Sequence, residues 1–125
     1  MLRLASKKAR DSEFERAKMG AVIAKNGRVL SVGNNSVRYY RDPKGLKVSR
    51  VWDNSLHAEQ AAILKLLNSR RQDELVGATI FVSRVRKTGL PGLAKPCKIC
   101  SELIEAVGIK KVVYTTNDGT EEYFV

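Results

Sequence analysis

Residues 21–33, AVIAKNGRVLSVG, read as a β-hairpin. Two runs of small and β-branched apolar residues flank Asn26-Gly27, and asparagine followed by glycine tolerates the positive φ that a two-residue hairpin turn demands. Toward the N-terminus, Leu2, Ala5, Ala9, Phe14 and Ala17 recur among charges, and this spacing predicts an irregular amphipathic helix over residues 3–18. Toward the C-terminus, residues 34–54 form a long, polar, basic and turn-rich connection containing Tyr39, Tyr40 and Trp52, and connections of that length usually carry function. Residues 56–68, LHAEQAAILKLLN, are apolar around most of a helical circumference and predict a buried helix capped by Asp53, Asn54 or Ser55. Residues 78–83, ATIFVS, predict a short core strand, and residues 84–95, with Gly89, Pro91 and Gly92, a second long loop. Pro96 suits the first position of a helix running to about Val107, with Gly108 ending it. Residues 110–116, KKVVYTT, predict another strand, and the tail from Asn117 is weakly specified. Helix, hairpin, helix, strand, helix, strand is the order of an α/β sandwich.

The chain has 125 residues, 43% of them hydrophobic, which suits one compact domain over residues 1–125 with a core of its own and excludes intrinsic disorder. The longest apolar stretch of interest, Leu75 to Val82, is less than half of the roughly 20 residues a membrane helix needs, so no membrane partner is expected. The basic start has no apolar run behind it, and the expected compartment is the cytoplasm. Two cysteines cannot build a disulfide framework, and their three-residue step points to a metal or a redox dithiol.

The formal net charge of +10 is concentrated. Residues 38–50 and 84–98 together carry ten cations and one anion, Asp42. Both segments lead into chemistry-bearing residues, so the excess predicts an anionic partner rather than solubility alone. Arg38, Arg84 and Arg86 are the cations expected to meet it. Tyr39 and Tyr40, between Arg38 and Arg41, are candidates for stacking on a base, whereas Trp52 is expected to pack against a helix.

The chemistry rests on His57-Ala58-Glu59 at the start of one predicted helix and Pro96-Cys97-Lys98-Ile99-Cys100 at the start of the next. A lone histidine is commonly structural and a single C-x-x-C can be a redox pair. Together they make H-x-E…P-C-x-x-C, the pattern of the zinc deaminases. Cys97 and Cys100 share one helical face, and a helix N-terminus favours the thiolates that zinc requires. One imidazole and two thiolates leave the open position that distinguishes a catalytic from a structural zinc, and the chain has no further histidine or cysteine to fill it. Glu59 falls beside such a metal without being a ligand, where a carboxylate can take a proton from water and pass it to a substrate nitrogen.

From KMGAVIAKNGRVLSVGNN (18–35) through LHAEQAAIL (56–64) to KPCKICSELIEAVGIKKVVYTT (95–116), the chain resembles the cytidine/deoxycytidylate deaminase superfamily. The resemblance implies a three-layer α/β/α cytidine-deaminase-like sandwich with a mixed sheet. It implies a Zn2+ held between the two helix starts by His57, Cys97 and Cys100, with Glu59 catalytic. Asn34 (or Asn35) looks like the asparagine that hydrogen-bonds the sugar hydroxyl, and the Ala58 N–H like the donor to the pyrimidine carbonyl. Two departures bear on the substrate rather than the reaction: Leu93 stands where relatives commonly have a hydroxyl residue, and residues 84–95 intervene where relatives have few. The expected activity is hydrolytic deamination of cytosine in an anionic nucleotide of the dCMP/CMP type. The alternative is cytosine or adenine in single-stranded nucleic acid or tRNA, and a homo-oligomer is left open.

Overall fold

The hairpin is built from β1 (Lys18–Lys25) and β2 (Arg28–Asn34), paired antiparallel, with Asn26 and Gly27 at φ 53° and 77° in the turn. These details come from a computed structural model that describes residues 1–12, 14, 18–36 and 56–125. On its other edge β1 pairs antiparallel with β3 (Thr79–Val85). β3 runs parallel to β5 (Lys111–Thr115), and β5 runs antiparallel to β6 (Thr120–Phe124). A two-residue strand, β4 (Pro91–Gly92), folds back on β3, and the order across the mixed sheet is β2-β1-β3-β5-β6.

Side chains directly opposite on paired strands share a face. Ala21 and Ile23 of β1, opposite Val82 and Ile80 of β3, share a core with residues of α2 (Ala58–Asn68) and α3 (Lys98–Ala106). On the other face α1 (Leu2–Arg10) lies on β1 at Gly20, where a Cβ would collide with the Ala5 carbonyl and come within 2.5 Å of the Ala9 nitrogen. Ser6 and Ser83 hydroxyls join α1 to β3 at 2.6 Å. The three layers implied by the resemblance are therefore present, one helix on one face and two on the other. Among the described residues, no helix is long and apolar enough to cross a membrane.

The backbone of α2 rests directly on β2. A Cβ at Gly33 would lie 2.7 Å from the Ala62 nitrogen and 2.8 Å from the Ala58 carbonyl, and the Ser31 hydroxyl donates to the Ala62 carbonyl at 2.8 Å. Glycine is required here by close approach, and the alanines facing it let the helix start descend onto the strand.

Several elements differ from expectation. α1 stops at Arg10 rather than residue 18, because Asp11 caps it, the Ser12 N–H returns to the Ala9 carbonyl, and Lys18 already belongs to β1. α2 starts at Ala58, two residues later than expected, with His57 as its N-cap; the expected caps Asp53, Asn54 and Ser55 lie outside the described residues. Pro96 precedes the N-cap Cys97 instead of opening α3. Gly108 follows the end of α3 at φ 88°, as expected. The loop over residues 84–95 is largely a tight return: Arg84 and Val85 extend β3, the Arg86 N–H donates to the Leu90 carbonyl at 2.8 Å, and the Thr115 hydroxyl donates to the Gly92 carbonyl at 2.7 Å. The tail from Asn117 is an edge strand, held where the Tyr114 hydroxyl donates to Glu121 at 2.8 Å.

Gly33→Ala is expected to lower the urea midpoint by the equivalent of about 1–3 kcal/mol, the usual cost of overpacking, because every atom the new Cβ meets belongs to the first turns of α2. The helix start must lift, carrying His57 with it. An unchanged midpoint would show that β2 can recede instead.

Candidate metal centre and active site

Ser36 and Leu56 form an isolated bridge in which each N–H donates to the other's carbonyl, at 3.1 and 3.0 Å. This clamps the chain entering α2 to the chain leaving β2. His57 follows at once, in extended backbone at φ −71° and ψ 152°, and Ala58 and Glu59 occupy the first helical turn. On the approach to α3 the Ala94 N–H donates to the Thr115 carbonyl at 2.9 Å, tying the segment to the end of β5. Cys97 is then the N-cap of α3, and Cys100 sits one turn in.

The two helix starts bring three donor atoms together. His57 Nδ1 lies 3.2 Å from Cys100 Sγ and 3.7 Å from Cys97 Sγ, and all the candidate ligand atoms fall within 4.8 Å of one another. Zinc held tetrahedrally at about 2.0–2.1 Å from nitrogen and about 2.3 Å from sulfur separates such donors by roughly 3.5–3.8 Å. The donor set and its spacing fit that ion. Cys100 is buried, His57 half-buried and Cys97 exposed, so the group is open on one side.

Glu59 is only 3% exposed. Burial pushes its carboxyl above the usual carboxylate range, against the opposing pulls of its own backbone N–H, the His57 imidazole and the Cys100 thiol. The Cys100 thiol is itself pushed up, first by burial and then by the charges of Glu59 and Cys97 and hydrogen bonds to both. Four polar groups thus share a site in which negative charge is poorly tolerated until a cation arrives.

A cavity of about 230 Å3 opens here, lined by Met19, Asn35, His57, Ala58, Glu59, Lys95 and Cys97. The structure separates the two asparagine candidates. Asn34 ends β2 opposite Gly20, whereas Asn35 lines the cavity and its Oδ1 accepts from the Met19 N–H at 3.0 Å and the Ser12 hydroxyl at 2.5 Å. Ala58, fully buried, lines the cavity. Arg84 and Arg86 do not line it. Arg84 stands opposite Met19 on the same face of the sheet, with Nε buried and, among the described residues, without a hydrogen-bond partner, while Arg86 Nε donates to the Pro91 carbonyl at 2.9 Å. Lys95 is the cation of that segment that reaches the cavity. Arg38 and Tyr39 lie outside the described residues. Met19, Lys95 and the anchoring Ser12 were not singled out from sequence. Only Lys95 had a usable signal, its place two residues before Cys97.

Residues 1–116 match the family described as the cytidine and deoxycytidylate deaminase zinc-binding region. The chain belongs to that family. It is 34% identical over 128 residues to a deoxycytidylate deaminase of Mycobacterium phage D29, covering 90% of this chain and 89% of that protein. It is 27% identical over 107 residues to a tRNA-specific adenosine deaminase of Aquifex aeolicus (strain VF5), covering 84% of this chain and 57% of that one. Among solved structures, the dCMP deaminase of cyanophage S-TIM5 in apo form aligns with a TM-score of 0.64 at 30% identity, over 90% of this chain and 77% of that one. The same enzyme in complex with dCMP and dUMP aligns at 0.60 and 27%, over 90% and 76%. Members of this family are zinc deaminases, and among the described residues His57, Cys97 and Cys100 form the group whose donors fit the ion.

A buried carboxyl whose proton affinity rises on folding supports the fold only while protonated. Its contribution is intact below the unfolded value of about 4.5 and is lost as pH rises through the higher folded value. In chelator-treated protein, Glu59→Gln is therefore expected to raise the denaturation midpoint at pH 7, with the gain shrinking to nothing below about pH 4.5. A variant no more stable than wild type at pH 7 would show that Glu59 is well solvated.

Proposed function

We propose that the chain deaminates the cytosine base of a nucleotide of the dCMP/CMP class, in the cytoplasm, releasing ammonia and the uracil nucleotide. The observation that carries this is a buried carboxyl, Glu59, in one small cavity with an open His/Cys/Cys donor set. Zinc, when bound to His57, Cys97 and Cys100, supplies the Lewis-acid chemistry that makes water nucleophilic near neutral pH. Glu59 takes a proton from the water that adds at C4 and delivers it to N3. It then moves the second proton from the added oxygen to the amino group, the C4–N bond breaks, and ammonia leaves. A carboxyl raised by burial is suited to give protons back as well as take them. Ala58 opens α2, where backbone N–H groups lack helical partners, and its N–H is placed to donate to the pyrimidine carbonyl. Asn35, in the same cavity, supplies an amide for a sugar hydroxyl.

Several observations support a negatively charged substrate. Lys95 lines the cavity, and Arg84 stands beside Met19 with a buried Nε lacking a partner among the described residues. Two of the comparisons concern a nucleotide: the phage D29 relative is a deoxycytidylate deaminase, and the S-TIM5 enzyme was solved with dCMP and dUMP. A second reading, deamination of a base within single-stranded nucleic acid or tRNA, is favoured by the net charge of +10, more than one phosphate uses. Part of that charge, however, is on α1 (Arg3, Lys7, Lys8, Arg10), across the sheet from the cavity.

Glu59→Ala is expected to keep about one zinc per chain and to lower turnover by 10²–10⁴-fold or more, roughly the worth of general acid–base catalysis, as measured by elemental analysis and ammonia release. A tenfold loss would place the proton carrier elsewhere. With wild type, kcat/KM for dCMP or CMP should exceed that for unphosphorylated cytidine, and log affinity should fall with log salt at a slope near one phosphate contact, about −0.7. Cytidine as the better substrate would overturn the charge argument, and steep salt dependence with turnover of oligonucleotides would overturn the choice of a mononucleotide.

A further inference from the structure

We infer that Gln60 is a positioning residue for the metal ligand His57. This rests on the zinc-site reading above. Gln60 is the third residue of α2, 5% exposed, and its Oε1 accepts from the His57 backbone N–H at 2.8 Å. His57 and Gln60 together form a capping box, with the imidazole accepting from the Gln60 backbone N–H and the carboxamide returning to the His57 backbone. Capping boxes ordinarily begin with serine or threonine, whose hydroxyl has no other duty. Here the N-cap side chain is also a candidate ligand, with Nδ1 3.2 Å from Cys100 Sγ.

A neutral imidazole has one nitrogen with an available lone pair. That pair can accept from the helix backbone or bind a cation, and it cannot do both. Loading the site therefore dissolves the histidine half of the box and leaves the carboxamide half as the side-chain hydrogen bond on the His57 backbone N–H. Gln60 then fixes the direction from which the imidazole meets the two sulfurs of α3. Two further observations show the same residue held from the other side: Leu56 is bridged to Ser36, and the Ala61 N–H donates to the His57 carbonyl at 2.9 Å. His57 is thus clamped before, at and after its own peptide units, and the carboxamide supplies a clamp that comes from a side chain. A buried glutamine has a polar role to justify its desolvation, and this is the one its contacts show.

The inference separates from simple helix capping by linkage. A cap that only stabilises the helix supports the metal-free and metal-loaded forms equally and leaves metal affinity unchanged. A positioning residue supports the loaded form more. The test is Zn2+ affinity by competition with a chromophoric chelator, together with the thiolate charge-transfer spectrum of the Co2+-loaded protein, for wild type, Gln60→Met and Gln60→Glu. Methionine keeps the volume and removes the acceptor, and is expected to weaken Zn2+ binding by about 10–100-fold, the usual cost of losing an outer partner of a ligand, and to shift the Co2+ band. Glutamate restores an acceptor at the same reach and is expected to restore affinity to within a fewfold of wild type. If Gln60→Met does not fold, Gln60→Asn, whose carbonyl falls one methylene short, carries the same expectation. Zn2+ affinity equal to wild type in the folded acceptor-less variant, with only thermal stability reduced, would overturn the inference. Wild-type protein that takes up no Zn2+ would overturn the metal reading and this inference with it.

Discussion

Three donor atoms on two helices must meet around a point that neither helix could hold alone, and most of the fold serves that meeting. His57 and Cys100 are 43 positions apart in the chain, yet their donor atoms come within 3.2 Å. Each helix starts just after a segment pinned by backbone hydrogen bonds, Leu56 to Ser36 and Ala94 to Thr115, so the starts are set by the sheet and not by the helices' own propensity. In the absence of a cation the arrangement works against itself. Burial pushes both Glu59 and Cys100 toward their neutral forms, and the charge of Glu59 pushes the thiol further. A divalent cation reverses the sign of these interactions, turning crowded donors into a shared attraction, which is why metal binding and folding are coupled in such sites.

Polar residues in the first turn of a buried helix require compensation in the turns that follow. α2 buries Glu59 and Gln60 alongside Ala58, Ala62, Ile63 and Leu66. Small residues dominate the turn that faces Gly33, so helix and strand backbones approach until a methyl group would not fit between them. That closeness brings Glu59 under the sheet edge, out of water, where its proton affinity is raised. A larger residue at Ala58 or Gly33 would return the carboxyl toward solvent and toward ordinary acidity. Packing and proton chemistry are here one constraint.

What could be read from sequence was local, and what could not was long-range. The hairpin was legible because Asn26-Gly27 imposes its turn regardless of context, and the metal group because its ligands sit in two short motifs, each at a helix start. Helix α1 was overextended because Phe14 and Ala17 continue its spacing after Asp11 and Ser12 have already turned the chain. Strand β6, TEEYF, has Glu121 on the same face as Tyr123, where alternation would want an apolar residue, and as an exposed edge strand it needs few; its pairing with β5 is supported instead by Tyr114–Glu121 and Lys111–Glu122. The choice between Asn34 and Asn35 turns on where β2 ends, and adjacent residues on a strand point to opposite faces, so a one-residue uncertainty in the strand's end left both open; Asn35 is the one that lines the cavity. Ser12 reaches Asn35 across 23 positions, a contact no local pattern encodes.

The distribution of charge was read correctly in amount and only partly in place. Arg84 and Arg86 were grouped with Lys95 as one basic loop, yet the return at β4 separates the two arginines from Lys95. Gly92 sits under both arginines, 3.0 Å and 3.1 Å from Arg86 Cγ and Arg84 Cδ if it bore a Cβ, so the hairpin uses their stems as packing. Arg86 is then held by the Pro91 carbonyl, and Lys95, beyond the return, is the one that enters the cavity. Arg84 is the intermediate case. Its backbone N–H is committed to Thr115, while its Nε is buried and, among the described residues, without a hydrogen-bond partner. A guanidinium nitrogen buried without an acceptor is costly, and an anionic group seated against Met19 and Lys95 is the kind of partner that would relieve it. Among the described residues, Lys95 is the cation that lines the cavity, and Arg3, Lys7, Lys8 and Arg10 stand on α1, across the sheet from it, so the net charge of the chain is not a measure of the charge at the site.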